Sequence, residues 1–242
     1  MQSRPARGGV ARQIRRKSGR LPAALSARAE RLRWQAQDRV AQVRRRVPDG
    51  SVGLTFDDGP QPGSTDRILD VLAELGARAT FFCVGKNARA HPELVRRIRA
   101  EGHAVGSHSM THPHPGETAR SELRREYVDG RRAVSDVLGA DTRLFRPPHG
   151  HVDPAGAVLL RRLAVSTWLW TVDPTDWRPG ATVQDIASVA CRADSGDVVL
   201  LHDWVEQPVA DEALDRSATV AALPIIVEAI RERGLVLETL SP

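Results

Sequence analysis

The chain has 242 residues, 41% hydrophobic and 27% charged, enough for one barrel-sized domain with an ordinary apolar core. No run approaches the roughly 18 uninterrupted apolar residues of a membrane-spanning helix, and the two cysteines, Cys83 and Cys191, supply neither a disulfide framework nor a metal-ligand spacing. The net charge of +5 averages two unlike parts: residues 1–47 carry 14 Arg and Lys against only Glu30 and Asp38, whereas the remainder carries 21 basic and 28 acidic residues.

A basic arm therefore precedes an acidic domain. Residues 1–20 are rich in Gly, Ser, Pro and Arg without periodicity, which reads as a disordered basic tail. The apolar stretch Leu21 to Ala27 is short, contains Pro22 and Ser26 and meets Arg28, a poor match to a signal peptide. The expectation is a protein that is cytoplasmic or peripheral at a membrane surface. Leu25, Ala29, Leu32, Ala36, Val40, Val43 and Val47 recur at three- and four-residue spacing and predict a basic amphipathic helix over 21–47. Pro48-Asp49-Gly50 breaks it and sets the expected start of the catalytic domain at residue 48, running to 242. The stripe suits an anionic membrane surface or packing against the barrel or a second subunit, leaving the oligomeric state open. One aromatic, Trp34, and no recognition motif argue against nucleic acid.

Beyond residue 50, strand-like runs and helical patterns alternate. The strands are expected at 52–56, 79–84, 104–106, 143–145, 166–172, 198–201 and 235–240. The clearest helices are expected at 66–75, 92–100, 117–138 and 219–233. Pro92 sits just inside a helix start, and Gly76, Gly102, Gly139 and Gly234 lie just past helix ends. Pro224 is expected to kink the last helix or delay its start. Repeated β–α units argue for a parallel sheet, closed or nearly so.

Five polar clusters follow five of these strands: Asp57-Asp58, His108 with His112, Arg146-Pro147-Pro148-His149-Gly150, Asp173 with Asp176-Trp177, and His202-Asp203. In a parallel α/β barrel the strand ends converge on one face, where active sites lie. His108-Ser109-Met110-Thr111-His112 places two imidazoles within reach of one ion. With one carboxylate they leave a coordination position for water, the pattern of a hydrolytic zinc site. Two adjacent aspartates point in different directions along an extended chain, so one can ligate while the other acts as general base. Asp-Asp-Gly-Pro also suits a turn, which explains Gly59 and Pro60 without explaining two acids ending an apolar strand. A lone histidine ending a strand, as His202 does, is most often structural. Asp176 offers the partner that would hold it protonated for donation to a leaving amine, and Arg146 could steady a catalytic aspartate.

Taken in order, these motifs resemble those of the polysaccharide deacetylases of carbohydrate esterase family four, the NodB-like homology domain. The matching segments are Thr55-Phe56-Asp57-Asp58-Gly59-Pro60, His108 to His112, Arg146 to Gly150, Asp173-Pro174-Thr175-Asp176-Trp177 and Leu200-Leu201-His202. The resemblance covers about residues 50–240 and implies a distorted (β/α)7 barrel. It implies Asp57 as base, Asp58, His108 and His112 as ligands of a divalent metal, with Zn2+ expected, and His202 as acid tuned by Asp176. It implies further that Arg146 orients Asp57, that Trp177 and Leu200 line an acetyl pocket, and that the backbone N–H at His149 helps to hold the oxyanion, where many relatives carry tyrosine. The expected function is hydrolysis of N-acetyl groups on an acetylated amino sugar or glycan. Its alternatives are an O-acetyl esterase, a deacylase of a small N-acyl metabolite, or a non-catalytic carbohydrate-binding module, which would have lost a ligand or the acid.

Overall fold

Seven parallel strands alternate with helices along residues 39–242, the part of the chain described by this computed structural model. The order is β1 (Ser51–Asp57), α1 (Thr65–Glu74), β2 (Thr80–Cys83), α2 (Gly85–Ala90), α3 (Pro92–Ala100), β3 (Ala104–Ser107) and α4 (Arg120–Leu138). There follow β4 (Leu144–Phe145), α5 (Pro154–Arg162), β5 (Ser166–Thr167), α6 (Val183–Ala190), β6 (Val198–His202), α7 (Ser217–Glu232) and β7 (Val236–Glu238). The tail expected over 1–20, and the expected helix up to residue 38, lie outside the described residues.

The sheet runs β5-β4-β3-β2-β1-β6, and β7 pairs with β1 as well. One edge of β1 is shared: Ser51 to Gly53 face β7, and Thr55 to Asp57 face β2. Past β5 the chain crosses to β6, where Val172 bridges Val199 and Thr171 N–H donates to Val198 O at 2.9 Å. The sheet is thereby curled into the expected distorted barrel.

Every residue of β1 and β2 is buried, as strands covered on both faces should be. Successive side chains leave on opposite faces. Phe81 and Val199 join the large cluster under the helices, with Ile68, Leu72, Ile98, Leu223 and Ile226. Phe82 and Val198 point the other way, joining Val47, Leu144, Trp168 and Leu240 inside the curl. The inner space is tight: a Cβ at Gly106 would lie 2.5 Å from the Phe82 ring, so only glycine leaves room for that phenylalanine.

Four expectations change. The amphipathic helix does not reach residue 47. Within the described residues it ends at Ala41, Gln42 turns at φ 52°, and the chain then runs extended. Arg44 N–H donates to Thr167 O at 2.8 Å, Leu169 N–H to Arg44 O at 2.9 Å and Val47 N–H to Gly196 O at 3.0 Å. Ala41 and Val47 are buried in the barrel's clusters. Unmet strand-edge groups and an apolar lining outweigh helical periodicity here. This end of the stripe, on the N-terminal side of the expected boundary at Pro48, packs on the barrel.

The strand expected over 166–172 stops at Thr167, because the chain leaves β4 to reach β6. The helix expected from residue 117 starts at Arg120, since Glu117 N–H and Thr118 Oγ1 both turn back to His114 O. Pro224 does not delay the start of α7, which begins at Ser217. It lies on the exposed face, where water can satisfy the carbonyl it frees, while Leu223, Ile226, Val227 and Ile230 hold the opposite face in the core. Cys83 and Cys191 are free thiols, the first buried and the second half-buried.

Candidate active site

The register sets the site. Asp57 pairs with Phe82 on one side and His202 on the other. Ser107, just before His108, pairs with Phe145, just before Arg146. Four strand ends therefore deliver Asp57, His202, His108 and Arg146 to one rim, around a cleft of about 390 Å3. Asp57, Asp58, His108, His112, His149, Trp177, Leu200 and His202 line it, and Arg146 and Asp176 stand behind it. All ten residues singled out in the sequence are brought together.

Asp58 and His112 take positive φ, 77° and 60°, a conformation costly for side chains with a Cβ and frequent at functional sites. Oδ1 of Asp58 lies 3.4 Å from Nε2 of His108 and 3.3 Å from Nε2 of His112. Its Oδ2 accepts the Glu206 amide at 2.9 Å. Nδ1 of His108 is 2.7 Å from the Arg146 carbonyl. A carbonyl can only accept, so Nδ1 carries a proton, and Nε2 is the nitrogen turned toward Asp58 and able to ligate a cation beside it. The intervening loop is held from outside. Glu126 accepts from the amides of Met110 and Thr111 at 3.1 and 2.8 Å, and Gly130 on α4 packs so closely that a Cβ would lie 2.2 Å from the Ser109 carbonyl carbon.

Among the described residues, Asp58, His108 and His112 form the group whose ligand atoms all lie within 4.8 Å of one another. Asp58 Oδ1 is buried with no hydrogen-bond partner, a costly arrangement that a cation would relieve. Two imidazoles and a carboxylate suit a divalent transition metal, so the residues fit one. Burial works against the ionised form of Asp58, yet His112 and His108 outweigh it and hold the carboxyl below its usual range. Burial presses the His112 pKa down to about 3, against the pull of Asp58. Asp58 and His112 are thereby favoured in the forms that ligate, whereas Asp57 and Asp58 overcome burial and raise the His108 pKa, so an ion would displace a proton there.

Arg146 is fully buried. Its Nη1 donates to Asp57 Oδ1 at 2.7 Å and Thr55 Oγ1 at 2.8 Å, and its guanidinium lies 4.2 Å from the Phe82 ring centroid. Across the cleft, Asp176 accepts from the His202 amide at 2.9 Å, faces His202 Nδ1 at 2.8 Å and accepts from Thr219 Oγ1 at 3.0 Å. Buried Arg216 donates to the Asp176 carbonyl at 2.9 Å. Burial alone would lower the His202 pKa. The Asp176 carboxylate, with Asp58 and Asp57 beyond it, raises it to about 9.

Several supporting residues carry no signal in the sequence. Glu206 reaches Asp58 through its backbone, while its side chain is held by Lys86 at 2.7 Å and Asn87 at 2.6 Å. Asp203 accepts from the Gly59 amide at 3.0 Å and Thr65 Oγ1 at 2.6 Å, fixing the turn after Asp58. Trp170 and residues 205–209 complete the cleft. Only Asp203 stood in a motif, and nothing there spoke for its role.

The family model described as polysaccharide deacetylase matches residues 44–168. The chain is 34% identical over 192 residues to a peptidoglycan-N-acetylglucosamine deacetylase of Bacillus cereus, covering 78% of this chain and 86% of that protein. It is 37% identical over 194 residues to a chitooligosaccharide deacetylase of Sinorhizobium fredii, covering 78% and 90%. Among solved structures, a family 4 carbohydrate esterase from Streptomyces lividans in complex with acetate superposes with a TM-score of 0.71 at 34% identity, covering 81% of this chain and 95% of that one.

Proposed function

This chain belongs to the polysaccharide deacetylase family, and on that premise we propose that it hydrolyses N-acetyl groups of an amino-sugar glycan at the cleft between Asp57 and His202. The observation that carries the reading is the convergence of three parts on one rim. These are the Asp58–His108–His112 group, an aspartate held by a buried arginine, and a histidine held by a buried aspartate.

Asp58, His108 and His112 would hold a divalent ion, for which zinc is our assignment from the two-imidazole, one-carboxylate set. When bound, such an ion supplies Lewis acidity toward the acetyl carbonyl and toward water. Asp57 takes the proton from the attacking water. Arg146 fixes the direction of its carboxylate, because Oδ1 is engaged at 2.7 Å and Oδ2 is left to face the cleft. Water oxygen bonds to the amide carbon, and the backbone N–H of His149 supports the developing oxyanion. His202, bonded to Asp176 through Nδ1, keeps Nε2 for the substrate and protonates the leaving nitrogen as the C–N bond breaks. The products are acetate and a free amine. Trp177 and Leu200, both on the cleft wall, enclose the acetyl methyl.

The test is a mass-spectrometric screen of metal-loaded protein against acetylated chitooligosaccharides, peptidoglycan fragments and a single N-acetylated sugar. Loss of acetyl mass from the amide is expected. Loss only from O-acetylated controls, or from none of the substrates, would overturn the proposal.

A further inference from the structure

A file of imidazoles leads outward from the candidate metal group. The His108 and His112 ring centroids are 4.8 Å apart, His112 and His149 4.6 Å, His149 and His114 5.0 Å, and His114 and His151 5.4 Å. Two loops build it in parallel, His112-Pro113-His114 and His149-Gly150-His151. In each, the outer histidine follows the inner one by two residues. His114 and His149 are exposed, and His151 is half-buried. The reaction proposed above has no task for His114 or His151.

Gly116 shows where the outer rings converge. A Cβ at that position would lie 3.4 Å from Nδ1 of His114 and 3.4 Å from Nε2 of His151. Two ring nitrogens thus border one small space, which this glycine keeps open. Imidazole is the commonest side-chain ligand for transition metals and is mostly neutral near pH 7. The outer pair offers two imidazoles and no carboxylate, against the two imidazoles and one carboxylate of Asp58, His108 and His112. The outer pair suits capture of an ion more than its residence.

We infer that His114 and His151 form an outer capture station for a divalent transition-metal ion, which His149 passes inward to the Asp58–His108–His112 group. The inference rests on the reading of that inner group as the metal site. Consecutive rings at about 5 Å let an ion exchange one imidazole for the next without returning to bulk water.

The test follows uptake of Co2+ by the metal-stripped full-length protein, by stopped-flow visible absorption, and does not depend on activity. His114→Asn/His151→Asn should lower the second-order uptake rate about tenfold while leaving the final cobalt content, and turnover of the fully loaded protein, unchanged. Gly116→Ala fills the space without removing a histidine and should slow uptake in the same direction. A double variant that loads at the wild-type rate would overturn the inference. So would a slowed double variant beside an unchanged Gly116→Ala. A wild-type chain that takes up no cobalt would instead overturn the inner site, and this inference with it.

Discussion

Nδ1 of His202 lies 2.8 Å from Oδ1 of Asp176, and the other oxygen of the same carboxylate accepts the His202 amide at 2.9 Å. One buried carboxylate therefore fixes the strand end and the ring together, and against burial it is the main charge that, with Asp58 and Asp57, raises the ring's pKa to about 9. As the proposed acid, His202 must be protonated to act, so its contribution is present below its pKa and lost as pH rises through it. The alkaline limb of kcat/KM should fall above the ordinary imidazole range. In Asp176→Asn the limb should move down by at least about one unit, because the raising charge is gone. A limb that stayed in place would separate it from His202.

Metal content read beside rate divides the remaining roles. Asp58→Ala and His108→Ala should each lose the ion, since either removes one of three ligand groups. Asp57→Asn should keep it and lose roughly 10²–10⁴-fold in kcat. It should also melt lower, because it leaves the Arg146 guanidinium buried without its anion. An Asp57→Asn protein with wild-type turnover, or one stripped of metal, would overturn the division.

Gly130→Ala pits helix propensity against packing. Alanine favours an exposed helix interior by about 1 kcal/mol over glycine. Here the added Cβ would meet the backbone of Ser109 and Met110, which cannot swing aside as a flexible side chain would. The variant should be destabilised by about 1–3 kcal/mol and should bind metal more weakly, because the displaced backbone carries His108 and His112. Denaturant melts and a cobalt titration measure both. A stabilised variant with wild-type affinity would show that the loop yields freely.

Two shortened chains locate the domain edge. A protein beginning at Arg39 should melt above one beginning at Pro48. The shorter form loses three backbone hydrogen bonds and buried Val47, together about 2–4 kcal/mol. Equal melting temperatures would return the edge to Pro48.

The parts legible in the sequence were those set by local chemistry. Pro92 and Gly139 marked helix ends because their backbone geometry is restricted or permissive. The five clusters stood out because acids and histidines ended apolar strands. What was hidden depended on partners distant in the chain. Val43 and Val47 fit a helical stripe as well as an edge segment, and only the unmet amides and carbonyls beside Thr167 and Gly196 decide between them. Pro224 reads as a breaker unless its exposed position is known. Glu206 steadies Asp58 through a backbone N–H, which every residue type but proline possesses.

The pairing of Asp57 with His202 across β1 and β6 also orders events in time. Asp58, His108 and His112 all come from the first half of the chain, and Arg146 follows soon after. His202 arrives only when a segment some 145 positions away joins β1. Closing so long a loop is entropically costly and slow. A chain emerging from its N-terminus can thus gather Asp58, His108 and His112 before the proposed acid exists beside them. The docking of β6, ahead of β7, is then the step that would complete the proposed acid–base pair.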